Sequence, residues 1–374
     1  MHTSSKVSTN LLIEKLSMVL WVSLATLLNA CSTETEQQAP EAIAKANNPS
    51  QAPETAQRDN RPPNLRNNTA TQTDGPPELY PATVPPIAEN EVAIADEGEW
   101  RILKSNGISE HNTGPFPNDG NPNTISEQTK TFRVPANPKL ASQITERGFD
   151  FGLAVNGVPF DPGAGEFYRG DPRLGWQYDA LSGALDLGFD ENHAHVQPTG
   201  KYHYHGLPTL LMKDLNVSAD QHSPLVGWAA DGFPIYALYG YKDGKAVNSG
   251  VVEMTPSYRL KAGNRPGGEE PDGTYDGTFV RDYEYVAGAG SLDECNGRMT
   301  ITPEFPEGTY AYFLTKDFPF VPRCFKGTPS QDFAKRGGPG GPDRPGPPGG
   351  RPGGPRPGSR PEPDGEPSAL VFKE

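Results

Sequence analysis

What most limits the fold of this chain is how often its backbone is broken. Its 374 residues include 42 Gly and 41 Pro, and residues 91–326, which hold 30 of the 34 aromatic residues, still keep 29 Gly and 19 Pro. There, about one residue in five is a helix breaker, against roughly one in eight in average usage. Glycine costs a helix interior about 1 kcal/mol and proline about 3, so long helices and coiled coils are excluded. Between the breakers lie short aromatic and β-branched runs at Phe132–Val134, Phe151–Val155, Gly227–Tyr239, Thr278–Val286, Arg298–Ile301 and Thr309–Leu314. Turn residues bound each run, which is the pattern of strands. Pro138–Arg147 offers the best helical periodicity, over about two turns. The expectation is a mainly β fold: one antiparallel-sheet, sandwich-like domain with many loops, flanked by disordered segments.

The two ends read differently from the middle. Residues 1–30 resemble a secretion signal: Lys6 and Lys15 precede the 13-residue apolar run Leu16–Leu28. That run is too short to span a bilayer as a helix but suits the apolar core of a signal peptide. It leads into Leu28-Asn29-Ala30-Cys31, which resembles a bacterial lipobox. The resemblance implies a lipidated Cys31 as the mature N-terminus and a lipid-anchored protein of the cell envelope. Ser32 in place of an acid favours the outer membrane over the inner. Residues 31–90 are rich in Pro, Gln, Asn and Thr and poor in aromatics, the composition of a flexible tether. Residues 327–374 form a Gly/Pro/Arg tail; 21 of the 29 residues from Gly337 to Gly365 are Gly or Pro. Without a strict three-residue period it is not collagen, and a disordered basic tail follows. Contact with an anionic surface polymer is a further role open to its arginines.

The β domain, 91–326, carries 32 acids and 20 bases, so most of the formal charge of −14 belongs to it. Nucleic-acid binding, which needs a basic face to displace counterions from phosphate, is excluded. Cys295 and Cys324 are its two cysteines, and in an exported protein a disulfide is the default pairing. Thiolate ligation of a metal is the weaker alternative, since neither has a Cys or His beside it. An internal echo sets Gly152-Leu-Ala-Val-Asn156-Gly157-Val-Pro159-Phe160 against Gly227-Trp-Ala-Ala-Asp231-Gly232-Phe-Pro234-Ile235, 75 residues on. Asn-Gly and Asp-Gly between apolar runs are tight-hairpin signals. The echo reads as duplicated halves of a sheet or as one turn solution used twice. Asp231 is then a turn residue first and a ligand or acid second. The Asp272–Gly277 run has the look of a calcium loop but lacks the ligand count, and reads as a double turn.

Four of the seven histidines fall within 13 residues: His193, His195, His203 and His205. On a strand, residues two apart share a face. Pro198-Thr199-Gly200 fits a three-residue hairpin loop, with Pro at the first αR position and Gly at the αL position of a G1 bulge. Counting outward pairs His195 with His203 and His193 with His205, which puts four imidazoles on one face and Tyr202 and Tyr204 on the other. A two-residue Thr199-Gly200 turn would instead send the two His pairs to opposite faces. Clustered neutral imidazoles suit Cu²⁺ or Zn²⁺. Asp186, Asp190 and Glu191 lie just upstream as direct or outer partners, with His222 and Asp231 as additional candidates.

The run Gly200-Lys201-Tyr202-His203-Tyr204-His205-Gly206 resembles the signature of the YHYH-domain proteins, as do Ala194–Pro198 and Gly227–Tyr236. The resemblance covers roughly Phe149–Tyr241 and extends to the Cys295–Cys324 region. It implies that Tyr202, His203, Tyr204 and His205 matter, and it supplies no reaction. Three functions stand at this point: a four-His transition-metal module, a metal-dependent hydrolase or oxidoreductase, and a metal-free envelope scaffold or adhesion module. No nucleophile elbow, zincin, P-loop or dinucleotide motif is present in the sequence.

Overall fold

The computed structural model describes residues 78–146 and 148–335. The signal segment, Cys31, most of the tether and the tail from 336 onward lie outside the described residues. The fold is mainly β. Its strands are β1 (Val92–Glu97), β2 (Trp100–Ser105), β3 (Lys130–Pro135), β4 (Gly152–Ala154), β5 (Pro159–Phe160), β6 (Ala194–Val196), β7 (Tyr202–Tyr204), β8 (Gly227–Ala229) and β9 (Pro234–Ala237). They continue as β10 (Tyr239–Tyr241), β11 (Val251–Glu253), β12 (Tyr258–Leu260), β13 (Tyr283–Tyr285), β14 (Gly297–Thr300) and β15 (Thr309–Leu314). The α-helix among the described residues, α1 (Thr209–Asp214), is short, and no described helix is long and apolar enough to cross a membrane. The periodic stretch at 138–147 is not helical in its described residues; about two turns are too few to repay helix nucleation.

Antiparallel pairing prevails. β1–β2–β3 form one sheet, β10–β11 and β12–β13 form two-stranded ribbons, and eight strands form the large sheet in the order β14-β15-β9-β8-β4-β5-β7-β6. Two of its pairings, β5 with β7 and β9 with β15, are parallel, each joining strands separated by a long connection.

That order is symmetric, and it decides between the two readings of the echo. Each half consists of a tight hairpin (β4–β5 or β8–β9), a parallel partner (β7 or β15) and an antiparallel edge strand (β6 or β14). The halves meet at β4 and β8, where Gly152 faces Ala229 and Ala154 faces Gly227 around a central Leu153–Trp228 pair. Both turns close alike: Gly157 N donates to Ala154 O at 2.8 Å and Gly232 N to Ala229 O at 2.9 Å. Gly157 and Gly232 have φ of +80° and +89°, a region where any β-carbon is strained. Phe160 pairs with Tyr204 and its equivalent Ile235 pairs with Tyr312. Tyr202-His203-Tyr204-His205 therefore corresponds to Tyr310-Ala311-Tyr312-Phe313.

One face of the large sheet presents Phe160, Tyr202, Tyr204, Ile235, Tyr310 and Tyr312 to the core that also holds Leu103, Phe132 and Val134 of β2 and β3. The other face is covered differently in each half. Tyr236, Ala311 and Phe313 pack with Met254 and Leu292, whereas the connection 161–190 places Trp176, Tyr178 and Phe189 in a separate cluster with Phe279.

The fold also reaches past the 91 and 326 boundaries read from composition. Tyr80 N donates to Phe189 O at 2.8 Å and Val84 bridges Thr113. Phe333 is buried and stacks on Phe132 with 4.2 Å between centroids. Backbone pairing needs no apolar run, and Phe333 stands alone just before the Gly/Pro tract, so composition marks neither edge. Cys295 and Cys324 form the expected disulfide, with 5.0 Å between their Cα atoms.

Candidate metal centre

The histidine hairpin closes with the three-residue loop. Gln197 N donates to Lys201 O at 3.0 Å, Gly200 N donates to Gln197 O at 2.8 Å, and Gly200 takes φ of +82°. His195 then faces His203, and Tyr202 and Tyr204 turn into the core, buried. His205, two residues past His203, shares its face.

The three rings converge. Nε2 of His205 lies 2.8 Å from Nε2 of His203 and 3.2 Å from Nε2 of His195, and these three residues form the group of ligating side chains that could hold a metal ion among the described residues. Metal–nitrogen bonds of about 2.0–2.1 Å in a tetrahedron place nitrogens roughly 3.3 Å apart, within about half an ångström of these spacings. The opposite ring nitrogens explain the orientation. His195 Nδ1 sits 2.9 Å from Leu187 O and His203 Nδ1 sits 3.2 Å from Lys201 O. A carbonyl only accepts, so each Nδ1 carries the proton and each Nε2 presents a lone pair to the cluster.

Electrostatics keep the rings neutral. Burial, opposed by the Leu187 carbonyl and Asp161, lowers His195 to about 4. Burial first, and then the neighbouring imidazoles, push His203 and His205 well below the ordinary value. His205 cannot satisfy both of its nitrogens. Its Nδ1 is buried without a hydrogen-bond partner, and a proton on Nε2 could reach only one of two facing lone pairs. With its proton on Nδ1, His205 turns a third Nε2 lone pair toward the other two, and a cation at the convergence point would engage all three. Phe189 walls the site, stacked on His195 at 4.6 Å and edge-on to His205 at 5.1 Å.

The fourth expected ligand is elsewhere. His193 shares a backbone hydrogen bond with His205, which donates to its carbonyl at 2.8 Å, but its φ is +52°. That left-handed residue ends the face alternation, and its Nδ1 turns to Leu207 O at 2.8 Å. The four-imidazole face is thus corrected to three. His222 is also apart, its ring packed on Tyr236 and Tyr241. Asp190 lies on the tyrosine side, accepting from Tyr202 Oη at 2.7 Å and Gly114 N at 2.9 Å. Glu191 accepts from Ala82 N at 2.9 Å, and Asp186 from Gly188 N at 3.3 Å. Asp231 takes the turn role, accepting from Phe233 N at 3.3 Å, from Tyr312 Oη at 2.6 Å and from Gly327 N at 2.8 Å.

Two further residues border the site without a clear sequence signal. His111, in a polar loop, meets Tyr204 Oη at 2.6 Å behind the site, and no local signal marks it. Asp161 is buried on the imidazole side of the sheet. The echo could have found it: it follows Phe160 where the other half has Tyr236 after Ile235, an acid in place of an aromatic at a strand end.

Comparison with curated proteins and with solved structures returned no match. The family model described as YHYH protein matches residues 131–327, more than half of the chain and a span containing all eight strands of the large sheet. With the motif, the hairpin and the duplicated sheet inside that span, the chain belongs to the YHYH protein family.

Proposed function

We propose that this protein is an envelope-anchored lipoprotein whose YHYH domain holds one divalent transition metal, Cu or Zn, on His195, His203 and His205. The observation that carries this reading is the convergence of three neutral Nε2 atoms, two of them oriented by backbone carbonyls. All-nitrogen donors suit Cu²⁺ and Zn²⁺ better than the hard cations that prefer oxygen, and the acidic domain raises the local cation concentration. Anchoring rests on the lipobox at Cys31, and the tail's arginines supply a contact for anionic surface polymer. The test is metal content by mass spectrometry after equilibration with Zn²⁺ or Cu²⁺. The wild type retains about one equivalent and His203→Ala/His205→Ala retains none; a metal-free wild type whose unfolding is unmoved by either ion returns the scaffold reading. For the anchor, Cys31→Ala shifts the protein from the membrane to the soluble fraction.

The count of three favours a second reading. Three protein ligands with a fourth position for solvent is the arrangement of catalytic zinc, whereas structural sites fill all four. A metal-dependent hydrolase or oxidoreductase is therefore the activity class to assay once metal is bound. An exchangeable water on the bound metal supports it, and a closed shell refutes it.

A further inference from the structure

Asp161 extends the centre. In the parallel β5–β7 ladder Phe160 pairs with Tyr204, and Asp161 N donates to Tyr204 O at 2.9 Å. The Phe160 ring meets the Tyr204 ring on the core side, at 5.5 Å. Strand alternation then places the Asp161 side chain on the imidazole side, one register step on, beside His205. The other half supports this placement, because the equivalent Tyr236 packs on the equivalent Phe313, 5.8 Å between centroids. Asp161 is 1% exposed, so its carboxylate faces the protein interior.

Its two oxygens are engaged unequally. Oδ1 accepts from Gly163 N at 3.0 Å and from Lys335 Nζ. Oδ2 accepts from Gln197 Nε2 at 3.4 Å, beyond the usual 2.7–3.2 Å range for N–H donors. Gln197 lies two residues after His195 on the far side of β7, so this long bond crosses the middle strand past His203. A carboxylate oxygen with lone-pair capacity to spare thus sits at the rim of three neutral donors. A divalent cation there carries its full charge into a buried place, which is costly unless an anion offsets it.

We propose that Asp161 is the outer carboxylate of the metal centre: Oδ2 accepts a hydrogen bond from the water that completes coordination, and its charge offsets the cation's. The fourth ligand is thereby a protic oxygen, and Asp161 is a positioning residue acting through it. This inference rests on the three-histidine metal reading.

The test measures Zn²⁺ affinity by competition with a chromophoric chelator, and the visible absorption spectrum of the Co²⁺-loaded protein, in wild type, Asp161→Asn and Lys335→Met. Loss of an outer partner weakens metal binding by roughly 10- to 100-fold. Asp161→Asn is expected to fall in that range and to alter the Co²⁺ spectrum at saturation. Lys335→Met, which breaks the ion pair but keeps the carboxylate, stays within about threefold of wild type with an unchanged spectrum. Asp161→Glu keeps the charge while moving the oxygen; it alters the spectrum and serves if the Asn variant does not fold. An Asn or Glu variant with wild-type affinity and spectrum overturns the proposal, as does equal weakening by Asp161→Asn and Lys335→Met, which would mean a purely structural carboxylate. A wild type that binds neither Zn²⁺ nor Co²⁺ overturns the metal reading itself.

Discussion

The two halves of the large sheet share a plan and differ in what they place on one face. Both carry a Tyr-x-Tyr strand whose tyrosines enter the common core, and both tie the second tyrosine to the turn of their own hairpin. Asn156 Nδ2 donates to Tyr204 Oη at 2.8 Å, and Tyr312 Oη donates to Asp231 at 2.6 Å. On the opposite face, His203, His205 and His195 in one half stand where Ala311, Phe313 and Arg298 stand in the other. The Ala/Phe half shows that the scaffold closes over apolar residues at two of those three positions. The sheet plan itself therefore does not call for histidine at those two positions.

The largest effect should come from erasing that difference. His203→Ala/His205→Phe copies the apolar half into the histidine half, and is expected to abolish measurable Zn²⁺ or Cu²⁺ binding in calorimetry, while far-UV circular dichroism stays that of the wild type. Retained stoichiometric binding would break the comparison, because it would place the metal elsewhere.

Next in size is the disulfide, which staples only the apolar half. Its cysteines are 29 residues apart, and closing such a loop is worth about 3.5 kcal/mol by chain entropy. Cys295→Ala/Cys324→Ala should lower the denaturation free energy by about that amount, and leave metal affinity within about threefold of wild type if the halves are energetically separable. A large loss of metal affinity would show that they are coupled.

The tyrosine anchors come third. Tyr204→Phe leaves Asn156 and His111 without their shared partner, and Tyr312→Phe leaves Asp231 and the Lys326 amide, which donates to Tyr312 Oη at 2.7 Å. Each should cost about 1–3 kcal/mol in urea unfolding, the range for stranding buried polar groups, with Tyr312→Phe the larger because a carboxylate loses its donor. The reverse order would make the histidine half the better-tied one.

The smallest effect separates Asp231 from Asn156 by pH. Burial raises the Asp231 carboxyl to about 6, against the donors Tyr312 and Gly327, which lower it. Its folded value exceeds its unfolded one, so the native state binds the proton more tightly, and this contribution grows as pH falls from above 6 toward 4. Between pH 7 and 5 the gain is about 1 kcal/mol. Asp231→Asn should remove that slope from the urea midpoint; an unchanged slope would assign it to other carboxyls.

How far the sequence reads depends on the range of the interaction. The Pro198-Thr199-Gly200 loop, the His195–His203 register and the inward turn of Tyr202 and Tyr204 are set within a few residues, by proline φ, glycine αL and strand alternation, and all were legible. The Asn156-Gly157 and Asp231-Gly232 turns were legible for the same reason. His193 was misplaced because it closes a turn with left-handed φ, its N donating to Asp190 O at 2.8 Å, and its ring meets the Leu207 carbonyl 14 residues away, neither of which strand periodicity encodes. Asp190 was misplaced because sequence neighbours of a ligand need not share its face: its carboxylate answers Tyr202 and Gly114 instead.

By itself, the sequence determined a mainly β domain, a duplicated turn, a hairpin carrying histidines on one face, and family membership through the residues of that hairpin. Each follows from local backbone preference and side-chain alternation, which act over a few residues. Tertiary structure decided that three imidazoles meet and the fourth does not, that the echo is a symmetric sheet rather than a shared turn, and that Asp161 lies beside His205. The first follows from the left-handed turn at His193; the other two follow from parallel pairings closed by long connections, whose register is chosen by burial across the whole sheet.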